Sequence, residues 1–249
     1  MTNSNPDSAL DTGSAPDSAL PGPERSPAPT PLMETMVVAS LAVAALSLFL
    51  FAWIAEKMAE GATARFDLSV RAWVHQFASP AMTRVMTAIS LLGYDVLIVE
   101  LVIALAIFLY LGWKHAAGWL SVSVAGALVL DLALKYSFRR PRPPVFSGPQ
   151  PHSFSFPSGH ALCSFCFYAV LAGLIAARTR SMLLRVAVGL IAAVLVIAIG
   201  LSRIYLGMHY PSDVIAGYLA AAIWVSTLLV LDRWRVKRRN LRRNDIPDL

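Results

Sequence analysis

Residues 186–203 read VAVGLIAAVLVIAIGLSR. The stretch is apolar on every side of a helix until it ends on Ser202-Arg203. It is close to the ~20 residues a helix needs to cross a bilayer. No water pairs with backbone N–H and C=O groups inside hydrocarbon, so a run of this kind must satisfy them internally as a helix. Similar runs cover residues 36–55, 96–111, 117–136, 159–177 and 212–231. The second of these belongs to a longer apolar stretch, residues 82–112, interrupted at Gly93-Tyr94-Asp95. The expected fold is all-α: a polytopic membrane protein with six transmembrane helices in one domain, residues 35–231.

Composition agrees with that reading. The chain of 249 residues is 57% hydrophobic and 14% charged; its mean hydropathy is +0.60. A soluble domain carries about 25% charged residues. The formal charge of +6 does not indicate a nucleic-acid partner, because the basic residues gather at span ends and in one motif region. Residues 1–34 are rich in Pro, Ser, Asp and Ala and have too little apolar surface to offset their ordering entropy. They read as a disordered cytoplasmic tail without the features of a signal peptide. Residues 232–249 read as a basic cytoplasmic tail. Lys114, Arg178, Arg180 and Arg185 lie in loops that an even number of crossings puts on the same side as that tail. The Lys/Arg bias makes this side cytoplasmic, with both termini inside. The expected location is the cell (inner) membrane.

Between the first two spans, Phe66, Val70, Trp73, Val74 and Phe77 recur at helical spacing, with Arg65, Asp67 and Arg71 off that stripe. This predicts a short interfacial helix. Its expected role is to anchor the bundle; a substrate-guiding surface is the alternative. Cys163 and Cys166 fall within an apolar run and read as buried small residues rather than a disulfide or metal pair.

The opposite, exterior or periplasmic face collects three polar clusters. One runs from Lys135 to Arg142-Pro143. A second is Pro157-Ser158-Gly159-His160, opening the fourth span. The third is Ser202-Arg203 followed by His209 and Asp213, opening the sixth. Lys135, Arg142 and Arg203 supply fixed positive charge, and guanidinium forks match phosphate oxygens. Ser158 and Gly159 stand at a helix N-terminus, where free N–H groups and the helix dipole favour an anion. His209 and Asp213 are four residues apart, so the carboxylate can hold one imidazole nitrogen as N–H and leave the other free to attack. His160 is a second imidazole able to protonate a leaving oxygen. Span-end Arg and Lys commonly only anchor helices, but that role has no use for two histidines and an aspartate in the same place.

These clusters resemble the K-x6-R-P, P-S-G-H and S-R-x5-H-x3-D motifs of the type-2 phosphatidic acid phosphatase superfamily, which also includes vanadium haloperoxidases and bacterial class A acid phosphatases. All three match in full. Arg140-Pro141 also reads Arg-Pro, but only Arg142-Pro143 lies at the motif's distance from Lys135. Arg139 and Arg140 are therefore expected to be supporting charges. The resemblance implies that Lys135, Arg142, Arg203, Ser158 and Gly159 bind phosphoryl oxygens. It implies that His209 becomes a phosphohistidine oriented by Asp213, and that His160 protonates the leaving group and then activates water. No cofactor and no metal is implied.

The expected activity is hydrolysis of a lipid phosphomonoester or pyrophosphate. Undecaprenyl pyrophosphate is the leading expectation, followed by phosphatidic acid and phosphatidylglycerol phosphate. The bilayer and the lipid phosphate are the expected partners. The rival readings are a haloperoxidase, which six apolar spans oppose, and a non-catalytic lipid-phosphate binding or transport protein. Asp131, one turn before Lys135, reads as its ion-pair partner. Glu100, inside the second span, has no partner legible in the sequence. His152 reads as a solvated loop histidine, and His75 and His115 have no motif around them.

Overall fold

The computed structural model describes residues 31–244. Among them eight helices form, and no strand: α1 (Pro31–Ala59), α2 (Ala64–His75), α3 (Pro80–Leu91), α4 (Leu97–Tyr110), α5 (Lys114–Phe138), α6 (Gly159–Ala176), α7 (Met182–Tyr205) and α8 (Pro211–Asn244). The all-helical expectation holds. Five helices, α1, α5, α6, α7 and α8, are long and apolar enough to cross a membrane. The expected second span is α4, an apolar helix of 14 residues. At 1.5 Å per residue that is about 21 Å, short of a ~30 Å hydrocarbon core. Most of the expected N-terminal tail lies outside the described residues, although positions 31–34 already belong to α1, and α8 continues past residue 231 to Asn244.

Local chemistry explains the element boundaries. The Ser79 hydroxyl caps α3 by accepting from the Met82 N–H at 3.2 Å, with Pro80 next in the chain; proline suits a first turn, where its missing N–H costs nothing. Ser181 caps α7 in the same way through the Leu184 N–H. The break between α3 and α4 falls at the expected Gly93-Tyr94-Asp95. A Cβ at Gly93 would lie 2.5 Å from Ile199 Cγ2 and 3.0 Å from His160 Cδ2, so this turn presses on the start of α6 and on α7.

α6 is the centre of the bundle, packed by α5, α7 and α8, while α1 lies along α8 and α4 along α5. Leu162, Cys163, Cys166 and Phe167 of α6 are buried, and both thiols are free. α6 and α8 approach closely because Gly217 has no side chain: a Cβ there would sit 2.7 Å from the Ser158 carbonyl oxygen. Small residues at crossings allow this approach in membranes, where association relies on close packing. The other side of α7 exposes Leu190, Ile191, Val194 and Ile197, the face expected to meet lipid.

Candidate active site

The three polar clusters meet at one end of the bundle, around a cavity of about 580 Å³. Lys135, Arg142, His160, Arg203 and His209 all line it. Lys135 reaches it from the last turn of α5, where its Nζ donates to Asp131 Oδ2 at 2.8 Å. This is the pairing expected from their spacing. Arg139 then takes a left-handed conformation at φ 49° and ends the helix, with its exposed side chain donating back to the Tyr136 carbonyl. The following loop carries Arg142, which is fixed on three sides: Nε donates to the Ser153 carbonyl at 2.7 Å, Nη2 to Ser153 Oγ at 2.8 Å, and Nη1 to the Met208 carbonyl at 2.9 Å.

The same Nη1 lies 3.0 Å from His209 Nε2. A guanidinium can only donate, so Nε2 is the acceptor and the ring proton resides on Nδ1. Nδ1 faces Asp213 Oδ2 at 3.5 Å. Both residues are fully buried. Asp213 is itself held: Oδ2 accepts from the Tyr210 N–H at 2.9 Å and from the Ser155 hydroxyl, and Oδ1 accepts from Arg140 Nη1 at 2.5 Å. Burial, reinforced by Arg142, Arg203, Lys135 and His160, pushes the His209 pKa far below the ordinary histidine range. The imidazole is therefore neutral at neutral pH, with its Nε2 lone pair engaged by the Arg142 N–H at the edge of the cavity.

Arg203 enters from the end of α7. Its Nη1 donates to Ser90 Oγ at 2.5 Å, and its buried Nε has no protein partner. The Ser158 hydroxyl is also buried and unpartnered. Such groups cost about 1–3 kcal/mol each when left unsatisfied, and the Arg203 donor belongs to a residue that lines the cavity. Ser158 and Gly159 form the wall behind the cavity rather than its lining. The Ser158 N–H donates to the Asp213 carbonyl at 3.0 Å, and a Cβ at Gly159 would fall 2.7 Å from Asp131 Oδ1. His160 opens α6. Its ring stacks on Tyr94 at 5.4 Å between centroids, and its Nε2 lies 3.6 Å from Asp95 Oδ2, just beyond hydrogen-bond reach.

Several neighbours were not expected. Arg140, read as a supporting charge, instead bridges two buried carboxylates, donating to Asp213 Oδ1 and, through Nη2, to Asp67 Oδ2 at 2.8 Å. Burial opposes its charge, but Asp213 and Asp67 outweigh that and raise its pKa. This corrects the anchor-only reading of α2. The helix exposes Phe66 and Trp73, but it turns Asp67 (0% exposed) and Arg71 (5%) inward. Asp67 accepts from the Ser212 N–H at 2.9 Å and from its hydroxyl at 2.7 Å. Arg71 donates to the Pro144 carbonyl at 2.7 Å. Ser90, Asp95, Ser153 and Ser155 were likewise missed; the only signal was the Tyr94-Asp95 break itself.

Glu100 has a partner after all, the Tyr168 hydroxyl, 3.0 Å from both carboxylate oxygens. His152 is exposed at the cavity rim. His75 stacks on Phe146 at 3.9 Å, and His115 accepts from Trp119 Nε1 at 2.8 Å.

Comparison with known proteins follows this geometry. A family model for the PAP2 superfamily matches residues 116–237, a segment that runs from the first turn of α5 into the later part of α8 and contains every motif residue. Phosphatidylglycerophosphatase B of Bacillus subtilis is 31% identical over 181 residues, covering 70% of this chain and 87% of the relative. An undecaprenyl-diphosphatase of Sulfolobus acidocaldarius is 38% identical over 117 residues, covering 45% and 52%. A lipid A 1-phosphatase of Rhizobium johnstonii is 35% identical over 133 residues, covering 49% of each. Among solved structures, the transmembrane PAP2 type phosphatidylglycerolphosphate phosphatase of Bacillus subtilis superposes with a TM-score of 0.67 at 26% identity, covering 79% of this chain and 96% of that one. Aquifex aeolicus LpxE gives 0.51 at 26%, covering 65% and 94%. A shared sequence over nearly the whole of one relative, a shared membrane fold and motifs that meet at one cavity have a common explanation: this chain belongs to the PAP2 superfamily.

Proposed function

We propose that this chain is a membrane lipid phosphatase that cleaves a lipid phosphomonoester or pyrophosphate through a phosphohistidine on His209. One observation carries the reading: a buried, neutral His209 offers Nε2 to a cavity lined by Lys135, Arg142 and Arg203, with Asp213 behind its other nitrogen.

The chemistry follows from those positions. The three cations hold the phosphoryl oxygens and neutralise charge that grows in the transition state. As the Arg142 N–H passes from His209 Nε2 to a phosphoryl oxygen, the freed Nε2 lone pair forms a bond to phosphorus and the bond to the lipid oxygen breaks. His160 gives a proton to that oxygen. Asp213 stabilises the imidazolium that results, as a buried carboxylate does for a catalytic histidine. A water molecule then attacks phosphorus, gives a proton to His160, and releases phosphate as the P–N bond breaks. No step uses a metal. Asp95, close to His160 Nε2, is placed to orient that ring.

Among substrates, the relative that aligns with most of this chain is a phosphatidylglycerophosphatase. That moves phosphatidylglycerol phosphate ahead of the undecaprenyl pyrophosphate first expected. In the accompanying topology α4 completes six crossings, both termini are cytoplasmic, and the cavity opens to the periplasm or exterior. The test is phosphate release by the purified protein in detergent from phosphatidylglycerol phosphate, phosphatidic acid and undecaprenyl pyrophosphate, each with and without a chelator. Turnover of at least one, unaffected by chelator, is the expected result. Binding of all three without release would favour the binding or transport reading.

A further inference from the structure

The end of the bundle opposite the cavity is also hollowed. α6 starts at the active site and ends at Ala176, 18 residues and about 27 Å away. Near that end two apolar grooves meet. One, of about 500 Å³, runs between α6 and α7 from Phe165 to Ala176 and down to Ile197. The other, of about 680 Å³, lies between α5, α6 and α8. They share Ala169, Gly173, Ala176 and the side chain of Arg185. From Phe165 to Ala176 the helix rises about 16 Å, roughly half a ~30 Å hydrocarbon core, the depth of one leaflet.

The second groove ends in charge. Arg178, Arg185 and Arg233 line its mouth together with His115 and Asp232. Asp232 lies 3.3 Å from His115. None of the three guanidiniums pairs with a carboxylate among the described residues. Arg178 stacks on Trp113 at 4.4 Å and donates to the Leu174 carbonyl. Arg185 donates to the Thr179 carbonyl through Nε and Nη2. Arg233 lies 3.7 Å from the Met36 sulfur. These contacts hold the side chains while leaving further N–H donors on each, since a guanidinium carries five. Clustered arginines at the mouth of an apolar groove between membrane helices match an anionic headgroup, and their forks suit phosphate oxygens.

We propose that this end binds an anionic diacyl phospholipid of the leaflet opposite the catalytic cavity, its phosphate on Arg178, Arg185 and Arg233 and one chain in each groove. The ligand is a structural or regulatory lipid, not the substrate, because neither groove reaches His209. The leaflet assignment rests on α6 crossing the bilayer as proposed above; the binding itself does not depend on the catalytic reading.

The experiment is native mass spectrometry and thermal unfolding of the full chain in detergent, titrated with phosphatidylglycerol, phosphatidylcholine or inorganic phosphate. Phosphatidylglycerol should be retained and should raise Tm saturably, with phosphatidylcholine and free phosphate far weaker. Each guanidinium removed in the series Arg178→Gln, Arg185→Gln and Arg233→Gln should weaken apparent affinity about ten-fold, the scale of one charge-assisted hydrogen bond. Gly173→Leu tests the groove without touching charge. A Cβ there meets nothing within 4 Å, so the variant should fold and yet lose retained lipid. Lys135→Gln weakens any binding of phosphatidylglycerol as a reaction product in the cavity but should leave the lipid retained on the arginines, which separates the two sites. Equal binding of phosphatidylcholine, an equal effect of inorganic phosphate, or undiminished lipid retention in both Arg185→Gln and Gly173→Leu would overturn the proposal.

Discussion

Arg140 serves Asp213 rather than the reaction cavity: its Nη1 lies 2.5 Å from Asp213 Oδ1, and it does not line the cavity. With Asp67 on its other nitrogen, it ties α2 to the carboxylate behind His209. Removing one partner of a buried ion pair leaves a costly uncompensated charge, so the consequence should appear where Asp213 acts. Arg140→Ala is expected to lower kcat by about 10²-fold, the cost of a small misplacement at a catalytic group, with KM little changed. Asp67→Asn should cost less, and Arg140→Lys should restore part of the loss. Steady-state kinetics of the folded variants check this; a raised KM at normal kcat would instead put Arg140 on the substrate.

The environment of His209 fixes a pH dependence. Burial and the flanking Arg142, Arg203, Lys135 and His160 hold its pKa far below the ordinary range. A lowered pKa means that the neutral nucleophile persists as pH falls through 6.5. The profile of kcat/KM, which reports groups of the free enzyme, should therefore show no acid limb from His209 near 6.5. A nucleophile lost with a midpoint at that value, and traced to His209 by substitution, would contradict the assignment.

His160 should matter in proportion to the leaving group. General acid assistance is worth about 10²–10⁴-fold, and a lipid alkoxide needs it while an aryl oxide does not. His160→Ala should therefore raise the ratio of aryl phosphate to lipid phosphate turnover. Measuring both substrates in wild type and variant decides the point, and an unchanged ratio would remove His160 from the acid role.

The contrast between these residues shows what the sequence could carry. His209 and Asp213, or Asp131 and Lys135, are four apart, and helical geometry alone puts such pairs side by side. The motif residues were legible because each cluster sits at a span end, where an unneeded charge is conspicuous. Asp67, Ser90 and Asp95 were not. They reach the site from α2, the last turn of α3 and the α3–α4 turn, and Asp67 meets Arg140 across 73 positions. In a short amphipathic helix, an inward carboxylate looks like the solvated edge of an anchor. The interruption of the apolar run 82–112 at Gly93-Tyr94-Asp95 was legible, but its packing was not, because hydropathy does not register the close approach of Gly93 to Ile199 and His160.

Orientation can be read from one cysteine. His152 is exposed at the cavity rim, so His152→Cys, in a background without Cys163 and Cys166, should react with an impermeant thiol reagent applied to intact cells. Lipid phosphate added beforehand should slow that reaction. Labelling only after the membrane is opened would place the cavity on the cytoplasmic side.

The central claim is that His209 carries the phosphoryl group. The direct measurement is a single turnover with ³²P-labelled lipid phosphate, quenched under alkaline conditions that preserve phosphoramidates, followed by peptide mapping. The account predicts acid-labile, base-stable label on His209 in wild type, accumulating if His160→Ala slows its hydrolysis, and none in His209→Ala. Label on another residue, or hydrolysis by His209→Ala at the wild-type rate, would contradict it.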